Sequence, residues 1–548
     1  MVTSLSPQVA ASESPAVRRL AAIDIGTNSI HLLIAAIDPA LRSFSVVLTE
    51  KSNTRLGERD LETGDLSAAA IERAFLTLRH CKELAISHGV EQIVTAATSA
   101  VREAGNGRQF LQTLQEQLGL EVDLVSGPEE ARLIYLGVLS GMAFDEQPHF
   151  ILDIGGGSTE LVLADGRDSR ALTSTRIGAV RLQRDFIRQD PLPAERRSFL
   201  KAYIQGALQP AVDQVLSHCR DGESAVLVGT SGTAMALAAL AAAQEERPPL
   251  RLQGYRVSRQ KIDQIVARLL EMTPEQRRAL PAINERRAEI IVPGALIFQT
   301  AMAMLGAKEM VVCDRALREG LIVDWMLRNG LLGDRFSFQS SIRERTVLHQ
   351  AQLYGVDLPR AERIAQLALS FYDQSRGLLH DDDGAGRTLL WAAAILHTCG
   401  QHINLAAYHK HTWYLIRHGE LLGYSDLEHR MVAAIARYHR RSLPKKRHES
   451  WQLIEGREQR RTVAAMALLL RLAAALDRRP GATVAGLKLG SQGGNDLRVA
   501  LIPARPDLDL GLERWSLQLC APQVAEASGR ELTVLELDQG VGEGAGGS

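Results

Sequence analysis

The chain has 548 residues, 45% of them apolar and 23% charged, with a formal net charge of −1. That length exceeds what one hydrophobic core serves and predicts two to four domains, while the ordinary composition excludes a collagen-like, coiled-coil or disordered chain. The longest apolar stretches, such as 464–470, are broken by charge before the roughly 18 residues a membrane span needs, so no span is predicted.

In chain order, residues 1–17 are rich in Ser, Pro and Ala and lack the cationic start and apolar run of a signal peptide; they read as a disordered leader. An internal repeat follows. Asp24-Ile-Gly-Thr-Asn-Ser-Ile-His-Leu-Leu-Ile-Ala35 aligns without gaps with Asp153-Ile-Gly-Gly-Gly-Ser-Thr-Glu-Leu-Val-Leu-Ala164, identical at Asp, Ile, Gly, Ser, Leu and the final Ala. Each copy is an apolar run, a Gly-containing turn and a second apolar run, the pattern of a β-hairpin opening a sheet. Residues 91–97 and 121–126 read as strands, and 107–118 and 128–139 as helices, so mixed α/β lobes are expected. Past 314–320 the strand signals nearly vanish, and from about 341 to 478 the chain reads as helices, with apolar faces at 360–372, 389–397 and 461–476. After Pro480 and Gly481, short runs at 483–489, 497–502, 515–519 and 532–537 suggest strands. The chain is thus divided into a leader (1–17), a first lobe (18–146), a second lobe (147–335), a helical domain (336–480), a small β-rich module (481–540) and a tail (541–548).

Five single cysteines, Cys81, Cys219, Cys313, Cys399 and Cys520, form no C-x-x-C pair and are odd in number. They argue against a disulfide framework or zinc site and fit a reducing cytoplasm. The neutral total charge hides a basic segment: residues 430–479 hold thirteen Lys and Arg against four Asp and Glu. Such a segment attracts a polyanion.

A carboxylate at a strand end followed by a Gly-rich turn serves phosphate chemistry in two ways. Glycines let backbone N–H groups approach phosphate oxygens, and the carboxylate can hold Mg²⁺ or another divalent cation, usually through water. A single D-x-G turn is more often structural. Two copies in matching contexts, with a third turn Gly229-Thr-Ser-Gly-Thr233 after an apolar run, make phosphate binding the better reading.

At these motifs the chain resembles the exopolyphosphatase and guanosine pentaphosphate phosphatase family, within the actin-like superfamily. The match extends through Asn53-Thr-Arg-Leu-Gly57, Thr98-Ser-Ala-Val-Arg102, Ser126-Gly-Pro-Glu-Glu-Ala-Arg132, Glu285-Arg-Arg-Ala-Glu289 and Asp314 to Gly320. The resemblance implies an α/β fold of two actin-like (ribonuclease H-like) lobes with an interlobe cleft, then an all-α degenerate HD-like domain and a small β-rich module. It makes Glu130 the residue that orients or activates the attacking water. Asp153 and Glu160 become Mg²⁺ and water-positioning groups, with Asp24 a further metal ligand. Arg102 is expected to contact phosphate. Asn28 and Ser29, the backbone of Gly155, Gly156, Gly157 and Ser158, and that of Gly229, Thr230, Ser231 and Gly232 are expected to cradle phosphates. It also implies a homodimer.

Spacing alone leaves alternatives open. Ser126-x-x-Glu129 fits a capping box, and with Gly127 as the cap Glu130 takes the third helical position and acts only as a cap. Glu160 follows the period-2 alternation of its strand and is equally consistent with facing solvent; Arg102 is consistent with a surface charge. In the helical extension, His397, His402, His409 and His411 invite comparison with metal-binding H…HD…D phosphohydrolases. Thr398 stands where that pattern needs Asp, and only Asp477 survives as a remnant of the last ligand, which argues against a metal cage. Arg437, Arg440, Arg441, Lys445, Lys446 and Arg447, with His439 and His448 nearby, are read instead as a track for a polyanion, or else as a solvated charged face. The expected activity is exopolyphosphatase, removing terminal phosphates from inorganic polyphosphate. The rivals are a guanosine pentaphosphate phosphohydrolase in the same cleft, an ATP-dependent small-molecule kinase, and a non-enzymatic polyanion-binding module.

Overall fold

The computed structural model describes residues 17–60, 62–144, 147–333 and 341–535. The expected leader, apart from Val17, and the tail at 541–548 lie outside the described residues. The chain forms two compact units, Met1–Ile342 and Arg343–Ser548.

The first unit holds two sheets built on one plan. In the first, β1 (Arg18–Ile25), β2 (Ile30–Asp38) and β3 (Ser43–Ser52) form an antiparallel meander, while β4 (Gln92–Ala97) and β5 (Asp123–Leu124) continue in parallel from β1, in the order β3-β2-β1-β4-β5. In the second, β6 (His149–Ile154), β7 (Thr159–Ala164) and β8 (Ser169–Thr175) repeat the meander. There β9 (Val226–Thr230) and β11 (Glu309–Val312) extend it in parallel, and β10 (Arg256–Ser258) adds an antiparallel edge, giving β10-β11-β9-β6-β7-β8. The repeat seen in the sequence is therefore a repeat of sheet topology, and both lobes are actin-like.

Register carries the equivalence to single residues. Asp24 lies opposite His31, which lies opposite Lys51 on the next strand. At the matching rung, Asp153 lies opposite Glu160, which lies opposite Ser174. Cross-strand neighbours share a face of the sheet, so each rung presents three side chains together. Every residue of β6 and β7 is buried, as expected of strands covered on both faces. That covering is why Glu160, 1% exposed, does not face solvent despite its alternating strand.

One core joins the sheets. Leu20, Leu33 and Ile37 of the first and Ile151 and Val162 of the second meet the helices Gly127–Leu139 and Leu317–Arg328 in a single cluster. The helix Gly127–Leu139 begins where expected because Ser126 Oγ accepts the Glu129 N–H at 3.3 Å, with Pro128 in the first turn. Ser126 is thus the cap, and the reading of Glu130 as a residue serving a Gly127 cap falls away.

In the second unit, helices including Leu358–Gln374, Ala385–Leu396, Asp426–Tyr438 and Arg457–Leu476 share one core with a small sheet, β12 (Val484–Gly490), β13 (Asp496–Pro503) and β14 (Glu531–Leu535), in that order. The expected strand at 515–519 is a correction: the helix Gly511–Gln518 covers most of it. Burial at Glu513, Ser516 and Leu517 follows helical spacing, and Glu513 is held by Arg479. Positions 536–537 of the last expected strand lie outside the described residues. No helix among the described residues is long and apolar enough to cross a membrane.

Candidate active site

The two hairpin turns, 26–29 and 155–158, open into one cavity of about 460 Å³. Of the expected residues, Asp24, Asn28, Ser29, Glu130, Asp153, Gly155, Gly156, Gly157, Ser158, Glu160, Ser231 and Gly232 line it. Strand ends supply Asp24, Asp153 and Glu160, and the first turn of the helix Gly127–Leu139 supplies Glu130. Ser231 and Gly232 open the helix Ser231–Ala242, whose N-terminal amides favour an anion. Ser231 has φ 73°, a left-handed conformation rare for a residue with a Cβ, and its Oγ accepts the Ile154 N–H at 3.3 Å.

Three expectations change. Arg102 does not line the cavity; its Nη1 donates to Glu130 Oε2 at 3.1 Å and to the Val125 carbonyl at 2.7 Å. Gly229 and Thr230 also lie outside the lining. Gly229 is needed for packing, since a Cβ there meets Met310, Ala234 and Phe298, and Thr230 Oγ1 donates to the Arg315 carbonyl at 3.0 Å. Gly232 does belong to the site: a Cβ there overlaps the guanidinium of Arg287.

Arg287, Lys51, His31 and Arg318 also line the cavity and were not singled out in the sequence. The end of β3 places Lys51 and the first turn of the helix Leu317–Arg328 places Arg318, while Arg287 lies in the first turn of the helix Glu285–Met304. Burial lowers the Lys51 pKa, and repulsion from Arg287 and Arg318 adds to this. Burial, with the charges of Arg318, Lys51 and Arg287, pushes His31 down to about 3, so it stays neutral, 2.7 Å from Ser29 Oγ.

The acids respond in the opposite sense. Burial raises Asp24 to about 6 against the pull of Arg318. Burial, then the charges of Glu130 and Asp24, raises Asp153 to about 7. Burial and the facing Asp153 raise Glu160 to about 8, although Ser174 Oγ donates to Glu160 Oε1 at 2.8 Å. Burial and Glu160 raise Glu130 well above the carboxylate range, with Arg102 opposing. Three buried acids, Glu130, Asp153 and Glu160, lining one cavity with the half-buried Asp24 are the donor chemistry of a hard divalent cation. Asp24 Oδ1, buried and without a hydrogen-bond partner among the described residues, fits such an ion. The three carboxylates expected as ligands do not form a ready-made cage; among the described residues no group of three or more His, Cys, Asp or Glu does so. Mg²⁺ commonly takes one or two carboxylates and completes its shell with water and substrate oxygens, so the residues fit it.

In the second unit, Arg437 and Arg441 line a separate cavity of about 470 Å³ with His409, Lys410, Tyr438 and His448. Arg440 packs over Tyr408 at 4.6 Å instead, and Lys445, Lys446 and Arg447 are exposed outside the lining. Asp477 is engaged by Arg360 at 2.7 Å and Arg363 at 3.5 Å, and the buried His397 Nδ1 lies 2.6 Å from the Ala394 carbonyl. A guanidinium pair thus stands beside the one acid that the H…HD…D comparison left.

Duplicated actin-like lobes around a cavity lined by both acids and cations define a phosphate-handling α/β protein. The sequence model of the Ppx/GppA phosphatase family matches residues 33–329, and that of its domain III matches 342–518. The chain belongs to the Ppx/GppA phosphatase family. Among solved structures, the Aquifex aeolicus member of that family is 29% identical, with 57% of this chain and 99% of that one covered and a TM-score of 0.50. An exopolyphosphatase from Cytophaga hutchinsonii is 25% identical over 58% of this chain and 100% of its own, with a TM-score of 0.52.

Proposed function

We propose that this phosphatase is an exopolyphosphatase that hydrolyses terminal phosphates from inorganic polyphosphate and releases orthophosphate, with Mg²⁺ or another divalent cation as cofactor. The observation that carries this reading is that Glu130, Asp153, Glu160 and Asp24 line one cavity together with Lys51, Arg287 and Arg318. Asp24, Asp153 and Glu160 would hold the cation, whose charge offsets that of the terminal phosphate. Lys51, Arg287, Arg318 and the amides of the 155–158 loop and of Ser231 and Gly232 bind the phosphate oxygens and align the terminal group. Arg102 holds Glu130 Oε2, which leaves Oε1 to orient water and take its proton. No Cys or Ser nucleophile is needed.

The second unit has a basic cavity of its own at Arg437 and Arg441, whose charge suits a polyanion. The five cysteines are unpaired, four of them buried, which fits the cytoplasm. A homodimer remains part of the proposal and is read by sedimentation. Phosphate release from long-chain polyphosphate and from guanosine pentaphosphate, each across concentrations with and without Mg²⁺, tests the reading. A higher kcat/KM on the polymer is expected; a higher value on the nucleotide assigns the cleft to the rival substrate.

A further inference from the structure

Arg181 lies outside the cavity but reaches both of its halves. It sits near the start of the helix Ala179–Phe186, in the lobe of the second sheet. Its Nε donates to the Gly157 carbonyl at 2.9 Å and its Nη2 to Glu103 Oε2 at 2.6 Å. Glu103 belongs to the other lobe, where it caps the short helix Ser99–Arg102 and accepts Ser99 Oγ at 3.3 Å on its other oxygen. The preceding residue, Arg102, is the one that holds Glu130. One guanidinium therefore links the 155–158 loop to the segment that orients Glu130.

We propose that Arg181 is a positioning residue that seats the 155–158 loop against the opposite lobe and so fixes that loop relative to Glu130. The proposal rests on the phosphohydrolase reading of the cleft. In a planar trans peptide the Ser158 N–H points away from the Gly157 carbonyl, so the guanidinium that fixes the carbonyl also aims the amide. Both residues line the cavity. The loop already rests on the other lobe, because a Cβ at Gly157 overlaps Ser99 Oγ. The planar fork of Arg spans a carbonyl and a carboxylate at once, which an ammonium does less well. The Arg181–Glu103 side chains are only 23% and 15% exposed. A second bridge between the lobes, Arg55–Glu289 at 3.2 Å, is 46% and 44% exposed and therefore weak. Glu103 also faces Arg59 and Arg184, so it is the counter-charge of a group of guanidinia.

The test compares Arg181→Ala, Arg181→Lys, Glu103→Gln and the Arg181→Ala/Glu103→Gln double variant in Mg²⁺-dependent release of phosphate from polyphosphate, with Arg55→Ala as the control. Misplacement of the loop by about 1 Å predicts a fall of roughly 10–100-fold in kcat for Arg181→Ala, with KM nearly unchanged. Arg181→Lys recovers part of the loss, the double variant is no worse than the weaker single one, and the control keeps its kcat. Amide exchange is measured on the same proteins without substrate and quickens at both 155–158 and 99–103 in Arg181→Ala. Full kcat in Arg181→Ala, a change in KM alone, or losses that multiply would overturn the proposal. A wild type that releases no phosphate removes the substrate reading, while exchange still decides the strut: faster exchange at both segments supports it, and unchanged exchange overturns it.

Discussion

The two hairpins set different chemistry on the same rung. In the first lobe the rung reads Asp24, His31, Lys51; in the second it reads Asp153, Glu160, Ser174. The backbone plan and leading aspartate are shared, yet the cross-strand neighbour reverses the electrostatics. Burial raises Asp24 only to about 6 because Arg318, and to a lesser extent Lys51, pull against it, whereas burial and neighbouring acids take Asp153 to about 7 and Glu160 to about 8. A duplicated loop thus carries a lysine on one rung and a second acid on the other, and the difference lies in the strands after the turn.

The largest expected effect comes from dissolving the acidic rung. Glu160→Gln is expected to lower kcat by about 10²-fold or more while raising the melting temperature measured without Mg²⁺, because a buried like-charge pair is relieved. A variant that loses stability and keeps its rate would break the comparison. Lys51→Ala attacks the other rung. Loss of a hydrogen bond to a charged group, worth about 1.5–3 kcal/mol, predicts a rise of roughly 10–100-fold in the KM for polyphosphate, with a smaller change in kcat.

The pH dependence sharpens the same contrast. An acid whose folded pKa is raised contributes stability that is present below the ordinary carboxylate range of about 4 and is lost as pH rises through its folded value. Asp24, Asp153 and Glu160 place that loss up to about 6, 7 and 8. Metal-free protein is therefore expected to melt at lower temperature at pH 8 than at pH 5.5. Mg²⁺ must displace those protons, so its affinity, followed by calorimetry, rises over the same window. The smallest effect on catalysis is expected at Gly229→Ala, which overpacks the core behind the cavity by about 1–3 kcal/mol and lowers the melting temperature without changing KM.

Much of this was legible in the sequence, for identifiable reasons. The gapless repeat exposed the paired hairpins because backbone turns demand the same Asp and Gly at the same spacing. The Ser126 cap and Pro128 marked the start of the helix that carries Glu130. Lys51 escaped notice because its place depends on register across two strand pairs, although counting back from His31 through the β2–β3 pairing reaches it. Arg287 and Arg318 lay inside noticed segments, but only tertiary packing over Gly232 and beside Asp24 gives them a role. Gly229 and Gly232 are alike in sequence and opposite in use, one packing against Met310 and the other admitting Arg287. The contact between Arg102 and Glu130 was not legible because the two lie 28 residues apart. The strand expected at 515–519 failed because a short apolar alternation does not separate a strand from one face of a helix.

The most direct test is Glu130→Ala, measured at saturating polyphosphate and Mg²⁺ together with polyphosphate binding by the same protein. Loss of a positioned proton acceptor predicts a fall in turnover of about 10²–10⁴-fold with binding retained. Full turnover in Glu130→Ala would contradict the account.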